Sequence, residues 1–124
     1  MEEYDDLSEG PNKDGSLNLS YNNWDEIPKE LYKMYSRLLK LSLSHNHILK
    51  VSNDIGKLTL IRELDLSHNF IEEVDPAIGN LVRLRSLNLS NNKITSLPPE
   101  LCSCKMMVCG FTFDYSHCHV TYAL

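Results

Sequence analysis

Along most of the chain the apolar residues fall at fixed intervals. One segment carries Leu38, Leu41, Leu43 and Ile48 around Asn46. A second carries Ile61, Leu64, Leu66 and Ile71 around Asn69, and a third Leu84, Leu87, Leu89 and Ile94 around Asn92. An earlier copy has Leu17, Leu19, Asn22 and Trp24, with Asp14 where the opening leucine should stand. The asparagines Asn22, Asn46, Asn69 and Asn92 are spaced by 24, 23 and 23 residues, so the phrase LxxLxLxxNxL recurs as a unit of nearly constant length. Repeats in this size range mark solenoids, propellers or arrays. Within each phrase the xLxLx alternation predicts a short strand with one buried face. Behind it, Val51, Ile55 and Leu58 correspond to Val74, Ile78 and Leu81, then to Leu97, Leu101 and Cys104, with Ile27, Leu31 and Met34 in the first unit. Their spacing of three to four predicts a helical or irregular turn packed behind the strand. Neither half buries its apolar side alone, so the units must stack into a solenoid held by nearest-neighbour contacts.

The asparagine sits where the chain leaves the strand. Its amide both donates and accepts, and it is expected to serve backbone groups of adjacent units that would otherwise be buried unpaired. Losing such a partner costs about 1–3 kcal/mol. Pro28 and the pair Pro98-Pro99 lack backbone donors and are placed to end the strand side and begin the turn.

These phrases resemble the leucine-rich repeat family over residues 14–107. The 23-residue length and the phrases "IPKEL", "LPPEL" and "IGNL" are similar to its intracellular branch, as in Ras-associated scaffolds, erbin-type adaptors, plant intracellular Ras-group proteins and the repeat domains of mRNA deadenylases. The resemblance implies an α/β solenoid: a right-handed superhelix with a parallel sheet on the concave face and turns or short helices on the convex face. It also implies a protein partner on the concave sheet.

Side chains alternate along a strand, so the residues between the core leucines face outward. They are Ser16, Asn18 and Ser20; Lys40, Ser42 and Ser44; Glu63, Asp65 and Ser67; and Ser86, Asn88 and Ser90. Flanking them come the columns Tyr21, His45, His68, Asn91 and Asn23, His47, Phe70, Lys93. The candidate partner-binding residues are Lys40, Ser42, His45, Glu63, Asp65, His68, Phe70, Asn88 and Lys93, with an acidic centre beside Lys40 and an aromatic rim at Tyr21 and Phe70. The serine column Ser20, Ser44, Ser67 and Ser90 reads as structural, a small residue where strands run ~4.8 Å apart. His45 and His68 share a column and should be near enough to interact, but no carboxylate or cysteine completes a metal set around them. No phosphate loop, G-x-S-x-G or H-E-x-x-H is present. Neither a metal, a cofactor nor an enzymatic activity is expected.

Charge narrows the partner class. Six of seventeen acids lie in the first fifteen residues with one base, which accounts for the whole net charge of −5. The remainder is neutral and lacks the clustered basic footprint of a nucleic-acid-binding protein. The acidic residues 1–13 read as a disordered segment without the apolar core of a signal peptide. No apolar run reaches the ~18 residues of a membrane span, and the expected compartment is the cytoplasm, with the nucleus as an alternative.

The tail, residues 108–124, holds three readings. Val108, Phe111 and Phe113, with Ser116 and Cys118, fit a degenerate fifth repeat or C-terminal cap after one extra residue, which makes Cys104 a core thiol. Cys102, Cys104, Cys109 and Cys118 with His117 and His119 also suggest zinc, although the spacing matches no standard site. The last eighteen residues could instead be foreign to the repeat, as in a truncated isoform, leaving an apolar sheet edge that favours self-association. The function expected is a non-enzymatic protein-binding module or adaptor. The alternative is a fragment of a larger scaffold or deadenylase.

Overall fold

The alternating leucines form strands in the computed structural model, which describes Leu7, residues 10–103 and residues 119–121. Strands β1 (Ser16–Asn18), β2 (Lys40–Ser42), β4 (Glu63–Asp65) and β6 (Ser86–Asn88) lie side by side in parallel. The register puts Leu17, Leu41, Leu64 and Leu87 on one level, so the repeat in the sequence becomes a column in space. Backbone pairing continues past the strand ends. The amides of Leu19, Leu43 and Leu66 each donate over 2.8 Å to the carbonyls of Ser42, Asp65 and Asn88 in the next unit. A second parallel pair, β3 (Lys50–Val51) with β5 (Glu73–Val74), joins the following segments of units two and three.

The opposite side is built from tighter turns than α-helix. Unit one has a six-residue helix, α1 (Lys29–Met34), entered through Pro28. The later units have five-residue 3₁₀ turns at Asn53–Lys57, Pro76–Asn80 and Pro99–Ser103. Asp75 caps the second of these by accepting the amide of Ala77 at 2.9 Å, and Pro76 follows at the first helical position, where no donor is missed. Successive turns lie so close that Gly79 leaves no space for a side chain. A Cβ there would fall 2.5 Å from the Glu100 carbonyl oxygen.

Between the two sides lies one continuous core. Leu43, Leu66 and Leu89 are fully buried, as are Ile55 and Ile78 behind them, and Trp24 fills the column continued by Ile48, Ile71 and Ile94. Leu7, from the acidic N-terminal segment, is also buried (2% exposed), and its carbonyl accepts the Tyr35 hydroxyl.

The asparagines hold the strand exits together. Asn46 is 2% exposed; its carbonyl oxygen accepts the amides of Asn22 (2.8 Å) and Trp24 (3.2 Å), while its NH₂ donates to the carbonyls of Leu19 (3.1 Å) and Leu43 (2.9 Å). Asn69 accepts from Ile48 and donates to Leu43 and Leu66; Asn92 accepts from Ile71 and donates to Leu66 and Leu89. Each asparagine thus serves its own turn and the preceding unit. Asn22, in the first unit, donates to Leu19 of its own turn.

At the C-terminal edge the last parallel strand has a neighbour. Strand β7 (His119–Thr121) lies beside β6 and runs antiparallel to it, with Ser86 opposite Thr121. The segment read as a fifth repeat, Val108 to Cys118, and the cysteine side chains lie outside the described residues.

Two substitutions test these constraints. Asn69→Ala should lower unfolding free energy by about 1–3 kcal/mol, because at least one buried backbone group loses its partner. Gly79→Ala should cost a similar amount, about 1–3 kcal/mol, through overpacking against Glu100. Urea unfolding followed by circular dichroism measures both, and a loss near zero for either would contradict the corresponding contact.

Candidate functional site

The outward residues of β1, β2, β4 and β6 form a shallow concave bed of about 340 Å³. Parallel register sets Lys40 beside Glu63, and their charged ends meet at 3.7 Å with both side chains half exposed. At the near edge, hydrogen bonds from the hydroxyl and amide of Ser16 hold the Asp14 carboxyl below the usual carboxylate range.

Three of the nominated bed residues are committed to the fold. Asp65 accepts both the amide (3.0 Å) and the hydroxyl (2.7 Å) of Ser67 through one carboxylate oxygen. Asn88 brackets Ser90 in the same way, and Asn18 brackets Ser20. In unit two the position is Ser42, which lies within hydrogen-bonding distance of the Ser20 hydroxyl (3.0 Å) instead. The serine column is therefore fixed by hydrogen bonds as well as by space. The recurring phrases NLS, DLS and NLS carried this signal, because Asn and Asp readily bond the amide two residues on.

Beyond the brackets the chain turns sharply. Tyr21, Asn23, His45, His68 and Asn91 have φ between 58° and 64°, the left-handed region in which Asn and His are enriched. Four of them form one column, and the turn aims their side chains along a common rim. The Tyr21 and His45 rings stack at 4.5 Å and 6°, and His45 and His68 at 4.3 Å and 9°. Asn91 continues the row, its amide nitrogen 3.4 Å from a ring nitrogen of His68. The neighbouring column sets His47 against Phe70 at 5.7 Å, with the Lys93 ammonium 5.4 Å from the Phe70 ring centre.

The nominated residues thus separate into a bed (Lys40, Glu63), internal brackets (Ser42, Asp65, Asn88) and a rim (His45, His68, Phe70, Lys93). Leu49 escaped the sequence reading. It is 56% exposed, and its column otherwise holds Asp25, Glu72 and Thr95, so an apolar residue among polar equivalents was the available signal. Among the described residues no three histidine, cysteine or acidic side chains converge to hold a metal ion, and no helix is long and apolar enough to cross a membrane.

Bed and bracket should respond differently to truncation. Asp65→Ala should lower stability by about 1 kcal/mol through loss of the Ser67 bonds. Lys40→Ala, which breaks only a half-exposed ion pair, should stay within about 0.5 kcal/mol of the parent. Parallel denaturant titrations measure both; a larger loss for Lys40→Ala would invert the assignment.

Comparison with known proteins agrees with this geometry. The family model described as leucine rich repeat matches residues 15–71 and 59–104. None of the curated proteins compared matches the chain. Among solved structures, a leucine-rich repeat protein of Leptospira interrogans is similar, with a TM-score of 0.58 and 25% identity over 79% of this chain. The match spans 31% of that protein, so this chain corresponds to under a third of its length. With four repeat strands in parallel register, an asparagine at the exit of each and a family match over most of its length, the chain belongs to the leucine-rich repeat family.

Proposed function

We propose that the chain is a non-enzymatic protein-binding module that receives a partner segment across the concave bed and the ring-bearing rim beside it. The observation that carries this reading is the rim itself. Tyr21 and Phe70 are exposed, 73% and 43% respectively, and their rings stand in adjoining columns against His45 and His47. Aromatic side chains supply a disproportionate share of binding energy at protein interfaces. The Lys40–Glu63 pair next to them offers polar specificity at little cost to stability. A partner lying across both would meet apolar rings and orienting charge together. An adaptor role in the cytoplasm, as in the intracellular branch of the family, is part of this reading.

The test is capture of a partner by the tagged chain and its variants. Glu63→Lys and Lys40→Glu should each reduce recovery of the bound protein about tenfold, equivalent to about 1.4 kcal/mol. Lys57→Glu, on the opposite side, should leave recovery unchanged. Loss with Lys57→Glu alone would move the binding surface away from the bed and rim.

A further inference from the structure

The two rim columns end differently. In one, a cation already covers the terminal ring, with Lys93 placed over Phe70. In the other, Tyr21 begins the stack and has His45 against one ring face. Among the described residues no ring or cation meets the opposite face, and Tyr21 is the most exposed large apolar side chain. It is also held in place. Its backbone has φ 64°, and its amide donates to the Ser44 carbonyl at 3.2 Å. The ring is therefore presented to solvent by a fixed turn. An open tyrosine face attracts cations electrostatically, and a planar guanidinium both stacks and interacts by cation–π attraction.

Charge along the solenoid points the same way. Among the described residues, 10–30 contain four acids and two bases, a net −2, whereas 31–103 contain seven acids and nine bases, a net +2. Tyr21 belongs to the acidic end, and Asp25 and Glu26 in its own unit are exposed. Such an asymmetry draws a basic segment toward the first unit before any contact forms. A second copy of the chain, itself at −5, is steered away by its net charge.

We propose that Tyr21 is the docking ring for a basic, arginine-bearing protein segment. One guanidinium extends the Tyr21–His45–His68 stack by a further layer, and Asp25 and Glu26 supply the opposing charge. The inference rests on the reading of the chain as a protein-binding module and names the chemistry of its partner.

The test uses the full chain and two short synthetic peptides, arginine alternating with serine and lysine alternating with serine. Binding is followed by NMR at low ionic strength, on the ring resonances of Tyr21 and His45. The arginine peptide should bind at least about threefold tighter than the lysine peptide and shift both rings. Tyr21→Asn places in this column the residue type already found at Asn91, which favours the same left-handed turn, and should abolish the arginine preference. Tyr21→His, which restores the ring type of His45 and His68, should retain part of it. Equal binding of the two peptides, no binding, or a preference that survives Tyr21→Asn would overturn the inference. So would sedimentation showing a dimer that protects the Tyr21 ring. If the arginine preference is absent while Glu63→Lys and Lys40→Glu still lose the captured partner, only this inference fails and the binding-module reading stands.

Discussion

Every strand exit in this protein confronts the same difficulty. The chain must turn sharply, through left-handed backbone, inside a closely packed stack. In units two to four one side-chain amide resolves it, accepting from the backbone of the preceding unit and donating both to that unit and to its own turn. Asn46 and Asn69 are almost fully enclosed, so their hydrogen bonds form in a setting where unpaired groups are costly. With the exits fixed, the leucines of neighbouring units meet at one level and the core becomes continuous. The rim inherits its order from the same device, because the residues on either side of each asparagine are those whose side chains stack outside.

Much of this architecture was written in the spacing. The leucine columns, the asparagine positions and the outward set on the strands all follow from a period that local physics leaves little freedom to satisfy differently. Other features depended on contacts that no period encodes. The turns opposite the sheet are mostly 3₁₀, and adjacent units crowd together there at Gly56 and Gly79, a constraint between units. Leu7 joins the core from a segment whose composition is that of a solvated tail, since one apolar residue among acids carries no periodic signal. Strand β7 runs opposite to its neighbour β6, which no extension of the repeat anticipates.

The candidate site was legible less evenly. Alternation identified which residues face outward, but facing outward is not the same as being available. Asp65 and Asn88 look like their neighbours Lys40 and Glu63 in a list of concave positions, yet each has one side-chain oxygen engaged by the serine two residues on. The left-handed backbone at His45 and His68 explains why polar, turn-tolerant residues recur in that column, and their parallel rings follow from identical turns stacked at strand spacing. Periodicity thus constrains the bed heavily and the rim less so. Variation specific to this chain accumulates where backbone geometry accepts many side chains.

The first unit is one residue longer than units two and three, and the extra residue falls between Met34 and Leu38, directly after the six-residue α-helix that stands where those units have a five-residue 3₁₀ turn. That difference shows where the design has slack. A single-residue insertion or deletion on the helical side changes the winding of one turn and leaves both sheet and asparagines in register. The same change between Leu43 and Asn46 would rotate the amide away from Asn22 and Trp24 and throw every later column out of phase. The fold therefore accommodates two kinds of length change: small ones on the helical side, and gain or loss of whole units.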